Sequence, residues 1–428
     1  MRSSSNLSRV PADPGHGFDL VVGNPPWVRA EALPPERRAL LAARYPWWRS
    51  GGRGFSHRPD LSLAFLARAW ELIRPGGVVG FLLPAKLATA EYGARARHAL
   101  AATGTIRAAA DLTAAPEPIF DGTVYPLALV VSKSSAPEGH RVRTRLGPPR
   151  AETTRGVPQQ DLIGGKPWPL AAGSALTALR ALAEHPLVAD RFICHLGVKT
   201  GANELFLDPP GSVEPALVRW AVRGRDLEPF RATRARRLLW PCDDAGRPLA
   251  ELPPGARAFL TTHVRRLRDR ADDAGGPPWT LFRTAAASAP YRVVWADLGR
   301  QLTAVALAAE AERDQIPLNT CYVIAAANVL TALRLTAWLN TTWIRAAARL
   351  AAPPAASGFA RFTARVVGGL PLPDAVLTDS TLGDFAQAAA LGSFLQAELD
   401  AHAARLLGLT PADAEALAAV ARRADPRR

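Results

Sequence analysis

The stretch from Phe18 to Trp27, FDLVVGNPPW, decides how the rest of the chain is interpreted. Its first half, up to Gly23, has the length and the apolar, β-branched character of a short buried strand. Asn24 to Trp27 follow where that strand would end, and in open α/β sheets ligands bind at the carboxyl ends of strands. An amide, a rigid di-proline turn and an indole at this place predict a site for a flat ring that carries an amino group.

The sequence around this stretch predicts an α/β domain. From Phe18 to about Lys133, short apolar runs alternate with segments of helical periodicity, which is typical of βαβ units. A helix is predicted from its N-cap Asp60 to Arg74, ended by Pro75-Gly76-Gly77. Val78–Leu83 is a continuous apolar run and predicts a strand buried on both faces. A further helix at 88–102 and strands at 106–112 and 125–132 make residues 1–135 a doubly wound sheet.

The remainder of the chain divides by composition. Pro- and Gly-rich polar sequence at 136–172 predicts a linker. Mixed helix- and strand-like segments with arginine clusters predict an α+β domain at 173–375, and Ala- and Leu-rich sequence predicts a helical tail at 376–428. The most apolar run, 322–339, contains Asn328 and Arg334 and predicts a buried helix rather than a membrane span.

Composition argues against several classes of protein. The 428 residues are 48% hydrophobic and 21% charged, which is typical of globular domains rather than disordered chains. Three cysteines without CxxC spacing, Cys194, Cys242 and Cys321, predict neither a zinc site nor a disulfide framework, and a cytoplasmic location is expected. The N-terminus lacks the apolar core of a signal peptide. No metal site and no nuclease motif are predicted.

The charge of the chain predicts a polyanionic partner. The formal net charge is +14, and arginine supplies nearly all of the cations. Arginines are dense at 219–237, where Trp220 and Phe230 interleave them, and arginine suits both phosphate contacts and bidentate contacts to guanine. A solvated basic face, or the coding bias of a GC-rich gene, is the competing interpretation. The candidate DNA-binding residues are Lys199, Thr200, Arg223, Arg225, Arg234 and Arg236.

The Asn24–Trp27 tetrapeptide fits chemistry on the exocyclic amine of a nucleobase. Such an amine is a poor nucleophile because its lone pair is delocalised into the ring. The side-chain oxygen of Asn24 and the carbonyl oxygen of Pro25 could accept its two N–H hydrogens and orient it for attack. Pro25 and Pro26 stiffen the loop, and Trp27 offers a face on which an extruded base can stack. A purely structural di-proline turn is the alternative.

Several stretches, in order, resemble the N6-adenine DNA methyltransferases of the TaqI type, a family that includes fused restriction–modification enzymes. FDLVVGNPPW resembles the catalytic motif of the family, residues 59–89 resemble the next two motifs, and IFDGTVYPLALVV at 119–131 is similar to a later one. HLGVKTGANELFL at 195–207, RGRDLEPF at 223–230 and GFARFTARVVGGLPLP at 358–373 resemble landmarks of its target-recognition domain.

This resemblance implies an enzyme that transfers a methyl group from S-adenosylmethionine to adenine N6 in double-stranded DNA, within a restriction–modification or phage-defence system. It implies a Rossmann-like catalytic sheet, with Phe120 packed on the flipped base and Tyr125 in reserve. It also places Asp60 and Phe65 near the adenine of the donor. Ordinary core packing is the alternative for Phe120. For the whole chain, a cytosine-N4 methyltransferase and a non-catalytic DNA-recognition subunit or truncated pseudoenzyme remain alternatives.

In the family, the methyl donor binds mainly to an earlier half of the domain, which opens with a Gly-rich loop after a first strand. Only 17 residues precede Phe18, and we see no strand or Gly-rich loop in them. We therefore expect this chain to supply the adenine side of the site and to need the missing half for activity. That half is expected on a separate polypeptide, or to have been lost through a frameshift or a misassigned start. The strand at Phe18 would then be an unprotected sheet edge, which favours pairing with a partner strand.

Overall fold

The computed structural model describes most of the chain, in two compact units. The first unit is Met1–Leu176 with Pro353–Gly358, and the second is Thr177–Ala352 with Phe359–Arg428. Phe120, Tyr125 and Arg234, which carried predictions, lie outside the described residues. The described residues are 17–49, 58–112, 126–144, 156–165, 167–168, 170, 173–233, 236–273, 275–309, 314–353, 355, 358–393 and 396–424.

The first unit is a mixed α/β fold around a four-stranded sheet. Its elements in chain order are β1 (Phe18–Gly23), α1 (Pro35–Arg44), α2 (Leu61–Leu72), β2 (Ile73–Pro84), α3 (Lys86–Thr89), α4 (Ala94–Thr103), β3 (Thr105–Asp111), β4 (Pro126–Ser132), β5 (Arg141–Val142) and β6 (Val157–Pro158). The strand order of the sheet is β1-β2-β4-β3. Strand β1 is parallel to β2, whereas β4 is antiparallel to both of its neighbours.

One face of this sheet is only partly covered by the described residues. In β2, Val79 and Leu83 are fully buried, but the residues that alternate with them are only half-buried. Leu20 and Val22 of β1 continue that open face and are 58% and 70% exposed. Strand β2 is therefore buried on one face and half-buried on the other, rather than buried on both faces as predicted. Ala108 and Ala110 of β3, which lie on the same half-covered face, are fully buried.

Helix α2 starts where its cap predicts and ends earlier than expected. The Asp60 carboxylate accepts a hydrogen bond from the backbone N–H of Ser62 at 3.0 Å, which satisfies a free donor in the first turn. The helix ends at Leu72, and β2 begins directly at Ile73. Pro75-Gly76-Gly77, predicted to stop the helix, instead lies inside β2, where the register with β1 is irregular.

Part of the segment predicted as a linker packs against the first unit. Gln159 is buried, and its side-chain oxygen accepts from the Ile106 backbone N–H at 2.8 Å while its amide donates to the Gly104 carbonyl at 2.6 Å. Strands β5 and β6 pair with each other. Residues 156–162 therefore add to the edge of the sheet. The Gln159 side chain provides hydrogen-bond partners for backbone groups at the end of α4 and the start of β3.

The second unit is an α+β assembly with several small sheets. Strands β14-β12-β16-β7 form an antiparallel sheet, β11-β8-β15 form a mixed one, and two-stranded ribbons complete the set. Helix α5 spans Gly173–Leu182. The later elements are α6 (Val188–Arg191), β7 (His195–Leu196), α7 (Asn203–Phe206), β8 (Val218–Val222), β9 (Leu227–Glu228), β10 (Arg231–Ala232), β11 (Arg236–Leu239), α8 (Pro254–Thr261), α9 (Val264–Arg268), β12 (Tyr291–Ala296), β13 (Leu298–Gly299), β14 (Ala304–Ala308), β15 (Gln315–Pro317), β16 (Cys321–Ala326), α10 (Val329–Leu339), α11 (Thr342–Ala351), β17 (Ala360–Arg361), α12 (Ala364–Gly368), α13 (Asp374–Thr378), α14 (Ser380–Leu391), α15 (Gln396–Leu406) and α16 (Pro411–Ala424).

The largest core of the second unit joins the antiparallel sheet to the C-terminal helices. Trp295 of β12 and Trp338 of α10 are completely buried in it, together with Leu382 and Leu417 from the predicted tail. The tail helices therefore share one core with the α+β domain. The apolar run 322–339 is a strand followed by a helix rather than one helix, because Asn328 caps α10 by accepting from the Thr331 backbone N–H at 2.9 Å. Among the described helices, none has the length and apolar character to cross a membrane.

Asn340 is a buried polar residue that ties three elements of the second unit together. Its side chain accepts from the Ala304 backbone N–H at 3.1 Å and donates to the Ala304 carbonyl at 2.8 Å. It also accepts from the Arg345 guanidinium at 2.8 Å. The residue is fully buried, so removing it would leave donors and acceptors without partners.

We expect Asn340→Ala to lower the free energy of unfolding of the second unit by about 2–4 kcal/mol, because buried polar groups of Ala304 and Arg345 lose their partner. Urea denaturation followed by tryptophan fluorescence measures this change. Asn319→Ala, at an exposed asparagine, is the matched control and should leave the midpoint unchanged. Equal midpoints for both variants would contradict the structural role of Asn340.

Candidate functional site

The Asn24–Trp27 loop lies at the carboxyl end of β1, as its sequence predicts. Gly23, the last residue of the strand, pairs with Phe81 of β2. The Asn24 side chain is exposed and Pro25 is buried. Neither the Asn24 amide nor the Pro25 carbonyl makes a hydrogen bond with a residue that the structure describes. Two hydrogen-bond acceptors at the end of a fixed strand are therefore without a partner among the described residues.

The Trp27 indole is anchored to the neighbouring strand. Its Nε1–H donates to the Leu82 carbonyl of β2 at 3.3 Å, and the side chain is half-buried. The sequence predicts an exposed indole at this place. In the structure the ring is half-buried, and the hydrogen bond from its N–H holds the ring in place. An indole held in this way keeps a constant orientation relative to the loop.

The loop that follows the tetrapeptide is joined to the start of α2. The Leu61 backbone N–H donates to the Val28 carbonyl at 2.8 Å, and the Ala30 backbone N–H donates to the Pro59 carbonyl at 3.0 Å. Asp60 therefore lies across from Arg29, in an isolated antiparallel bridge. The structure thus brings the predicted cofactor residue Asp60 close in the fold to the catalytic loop.

Asp60 and Phe65 are both half-buried. Burial raises the pKa of the Asp60 carboxyl, although the hydrogen bond from Ser62 and the positive charges of Arg29 and Lys86 act in the opposite direction. Phe65 packs at the border of a small apolar cluster that contains Trp48 and Leu61. One carboxylate oxygen of Asp60 is used as the helix cap, so this residue has a structural role whatever else it contacts.

Most of the predicted DNA-binding cations are paired with aspartates. Arg223 holds both carboxylate oxygens of the buried Asp226, at 2.8 and 3.0 Å. Arg236 donates to Asp208 at 2.7 Å, and the Lys199 ammonium contacts the Asp272 carboxylate. A net charge of +14 therefore overstates the number of cations that are free to meet phosphate.

Thr200 and Arg225 are at opposite extremes of exposure. Thr200 is 3% exposed, and its hydroxyl donates to the Asn203 side chain at 2.6 Å. This hydrogen bond shapes the turn, and a DNA contact by Thr200 stays a prediction. Arg225 is exposed and makes no hydrogen bond or ion pair within the part of the chain that is described. It is the predicted cation best placed to meet a ligand.

An open cleft of about 250 Å³ lies beside the Lys199–Gly201 turn. Its wall is polar and apolar in equal measure, and the carboxylate of Glu204 there is paired with Arg266 at 2.8 Å. The lining residues are Lys199, Thr200, Gly201, Asn203, Glu204 and Asn319.

Sequence reasoning missed two arrangements in the second unit. Arg270 belongs to a basic segment but is 5% exposed and donates to backbone carbonyls, so it is an interior residue. Arg361 pairs with the buried Asp297 on the ribbon of β13 and β17. The ion pair of Arg223 with Asp226 could have been predicted, because the two residues are three positions apart in RGRD. Arg361 and Asp297 are far apart in sequence, so no local pattern indicated their ion pair.

Other reactive groups in the described residues do not assemble a second centre. No group of three or more His, Cys, Asp or Glu side chains there could hold a metal ion. The three cysteines are free thiols, and burial raises the pKa of each to about 12. They are protonated at neutral pH, which makes them poor nucleophiles.

Comparison with known proteins gives one consistent set of matches. Residues 7–120 match the profile of the Eco57I restriction-modification methylase family. The chain is 27% identical over 296 residues to the type II methyltransferase M.XhoI of Xanthomonas vasicola, covering 63% of this chain and 52% of that protein. It is also 27% identical over 209 residues to the type II methyltransferase M.PaeR7I of Pseudomonas aeruginosa, covering 44% of this chain and 35% of that protein.

The fold is similar to that of a solved restriction–modification enzyme. The type IIL enzyme MmeI, solved in complex with DNA, superimposes with a TM-score of 0.62 at 14% identity, over 95% of this chain and 57% of that one. The chain spans about half the length, or less, of the curated relatives it matches. These matches identify a restriction–modification methyltransferase relationship and a shared fold.

The Arg223–Asp226 pair predicts a pH dependence of stability. Burial acts to raise the pKa of Asp226, but the hydrogen bonds from Arg223 outweigh it and leave the pKa below its ordinary value. A lowered folded-state pKa stabilises the fold above the unfolded value of about 3.9, and this contribution is lost as the pH falls through the folded pKa. We expect Asp226→Asn to be less stable than wild type by about 2 kcal/mol at neutral pH.

Urea midpoints measured from neutral to strongly acidic pH test this expectation. The gap between wild type and Asp226→Asn should close as the pH drops below about 4. Glu228→Gln, at an exposed carboxylate nearby, is the control and should follow wild type throughout. A gap that stays constant into acid would show that the carboxylate charge is not the cause.

Proposed function

We propose that this chain is the adenine-binding and target-recognition portion of a site-specific DNA methyltransferase, which transfers a methyl group from S-adenosylmethionine to adenine N6. The observation that carries the proposal is the pair of free acceptors, the Asn24 amide and the Pro25 carbonyl, at the carboxyl end of β1. The similarity to type II methyltransferases supports it, and it implies a role in a restriction–modification or related defence system.

In this proposal the chain binds and orients the amine of an extruded adenine. The Asn24 side-chain oxygen and the Pro25 carbonyl oxygen each accept one amino N–H. The nitrogen is thereby held with its lone pair directed away from the ring plane, which favours attack on a carbon electrophile. The Trp27 indole, fixed through Leu82, supports one face of the base. Phe120 or Tyr125 is proposed to pack against the base as well.

S-adenosylmethionine, when bound, supplies an electrophilic methyl group. Asp60 and Phe65 are the residues of this chain proposed to contact it, and their half-buried positions near the catalytic loop fit a small number of contacts. The raised pKa of Asp60 shows that its carboxyl sits in a poorly solvated place, where a hydrogen-bond donor from a ligand would be favourable. The remaining contacts to the donor are proposed to come from a Gly-rich segment outside these residues.

The second unit is proposed to bind double-stranded DNA. MmeI, which shares the fold, was solved with DNA. Arg225 is exposed and makes no hydrogen bond or ion pair within the described residues, although its charge acts on Asp226; it is proposed to contact phosphate. Lys199, Arg223 and Arg236 are bound to aspartates, but part of each side chain remains exposed. We propose that they donate hydrogen bonds to DNA from a fixed orientation rather than acting as unpaired charges. Thr200 and Arg234 stay candidates.

We also propose that β1 pairs with a strand of the Gly-rich half. Strand β1 is an edge strand in the described sheet, and Phe18, Leu20 and Val22 are 49%, 58% and 70% exposed. An exposed apolar edge without lysine or proline is suited to strand addition. A partner strand would form backbone hydrogen bonds with this edge, and burial of the apolar side chains would add to the free energy of association.

We expect Asn24→Ala to abolish methyl transfer while DNA binding stays intact, because the variant loses an oriented acceptor and no contact to the duplex backbone. A loss of roughly 10²-fold or more is typical when one such group is removed. The chain is co-expressed with a polypeptide that carries a Gly-rich donor half, and methylation-sensitive sequencing measures the product while fluorescence anisotropy measures DNA binding.

Asn24→Asp, which retains an oxygen acceptor, is the matched variant and should keep more activity than Asn24→Ala. Wild-type methylation by Asn24→Ala would eliminate the proposed role of the amide. Methylation found at cytosine N4 would redirect the proposal to that base. Sequence-specific DNA binding without any transfer in the assembled complex would identify a recognition subunit.

We expect Val22→Lys to prevent association with the donor half, because a charge on the open face of β1 cannot be buried against an apolar partner. Leu40→Lys on α1 is the matched control, since Leu40 is 67% exposed and Val22 is 70% exposed. Co-elution of the two polypeptides in size-exclusion chromatography measures the effect. Equal co-elution of both variants would place the contact elsewhere.

A further inference from the structure

A buried arginine fixes the base of one loop surface in the second unit. Arg270 donates to the carbonyls of Thr200 at 2.7 Å, Thr280 at 2.8 Å and Pro278 at 2.7 Å. Its guanidinium also lies 4.7 Å from the ring centroid of Phe282. These carbonyls belong to two segments that are far apart in sequence. Arg270 therefore holds the turn at Thr200 and the segment 278–282 as one rigid platform.

Lys199 and Phe282 are backbone partners on this platform. The Lys199 N–H donates to the Phe282 carbonyl, and the Phe282 N–H donates to the Lys199 carbonyl, both at 3.0 Å. Lys199 contacts the Asp272 carboxylate, and Arg283 directly follows Phe282. The hydrogen bond from Lys199, with a smaller contribution from the charge of Arg283, holds the pKa of Asp272 below its ordinary value. Asp272 is therefore ionised beside both cations at neutral pH.

Arg283 has a backbone conformation that its residue type disfavours. Its φ is 63°, in the left-handed region that side chains with a Cβ rarely adopt. The side chain is exposed and makes no hydrogen bond or ion pair among the described residues. Backbone strain of this kind is most often found where a side chain must be presented in one direction. Here the Arg270 platform is what maintains it.

We infer that Arg283 reads a guanine of the target sequence in the major groove, an inference that rests on the proposed DNA-methyltransferase function. A guanidinium can donate two parallel hydrogen bonds to guanine O6 and N7. The residue sits on a rigid platform, which direct readout requires more than phosphate contact does.

The neighbouring carboxylate favours a base over a phosphate. Asp272 repels a phosphate oxyanion that approaches Arg283, whereas the acceptors of guanine are neutral. The same carboxylate attracts the guanidinium and limits its range of orientations.

The test is selection of bound sequences by the full chain from a pool of duplex DNA with a randomised central segment. Arg283→Gly removes the guanidinium and accepts the left-handed backbone conformation, so it folds. Arg283→Lys keeps the charge and loses the planar fork. We expect both variants to lose about 10- to 100-fold of the preference for guanine at one position of the selected motif. Arg405→Ala, at an exposed arginine of α15, should select the wild-type motif.

The outcomes separate this inference from the proposed function. A motif that Arg283→Gly leaves intact overturns the inference alone, as does a uniform loss of affinity for all sequences, which would mark a phosphate contact. Loss of preference in Arg283→Gly that Arg283→Lys fully restores would mean that charge suffices, and it too overturns bidentate readout. A wild-type chain that selects no sequence overturns the proposed recognition function and this inference with it.

Discussion

The parallel pairing of β1 with β2 is the constraint on which the Asn24–Trp27 loop depends. Gly23 is fixed opposite Phe81, and the Trp27 indole is tied to the carbonyl of Leu82, one residue further along the same strand. The two prolines between them allow little backbone freedom. The Asn24 amide is therefore placed by strand register, with no need for side-chain contacts of its own. That arrangement leaves its hydrogen-bonding capacity available to a ligand.

The local parts of this arrangement could be predicted from the sequence. FDLVVG has the pattern of a strand, the di-proline marks its end, and Asp60 marks the start of α2; all three depend on neighbouring residues only. The strand order β1-β2-β4-β3 and the open face of the sheet depend on which elements cover which, so a single apolar run such as Val78–Leu83 could not reveal them. The same holds for the run 322–339, where one asparagine cap separates a strand from a helix.

The charge pattern shows the same limit in the second unit. Arginine density at 219–237 correctly marks a basic segment, yet the structure commits several of those guanidinium groups to aspartates and carbonyls. Arg236 and Asp208 are 28 residues apart, and such pairs form only once the chain has folded. Arg270, inside a basic run, proves to be interior. Formal charge therefore bounds how strongly the domain can attract DNA, while the ion pairs determine which groups are presented to it.

The shared core of the C-terminal helices has a consequence for engineering. Leu382, Leu399 and Leu417 pack in the same cluster as Trp295 and Trp338, and Asp400 accepts hydrogen bonds from the first residue of α11. A chimera that exchanged the α+β portion but kept the original C-terminal segment would join two surfaces that had not evolved together. An exchange of the α+β portion between homologues is thus best attempted with the whole second unit as the exchanged cassette, its last three helices included.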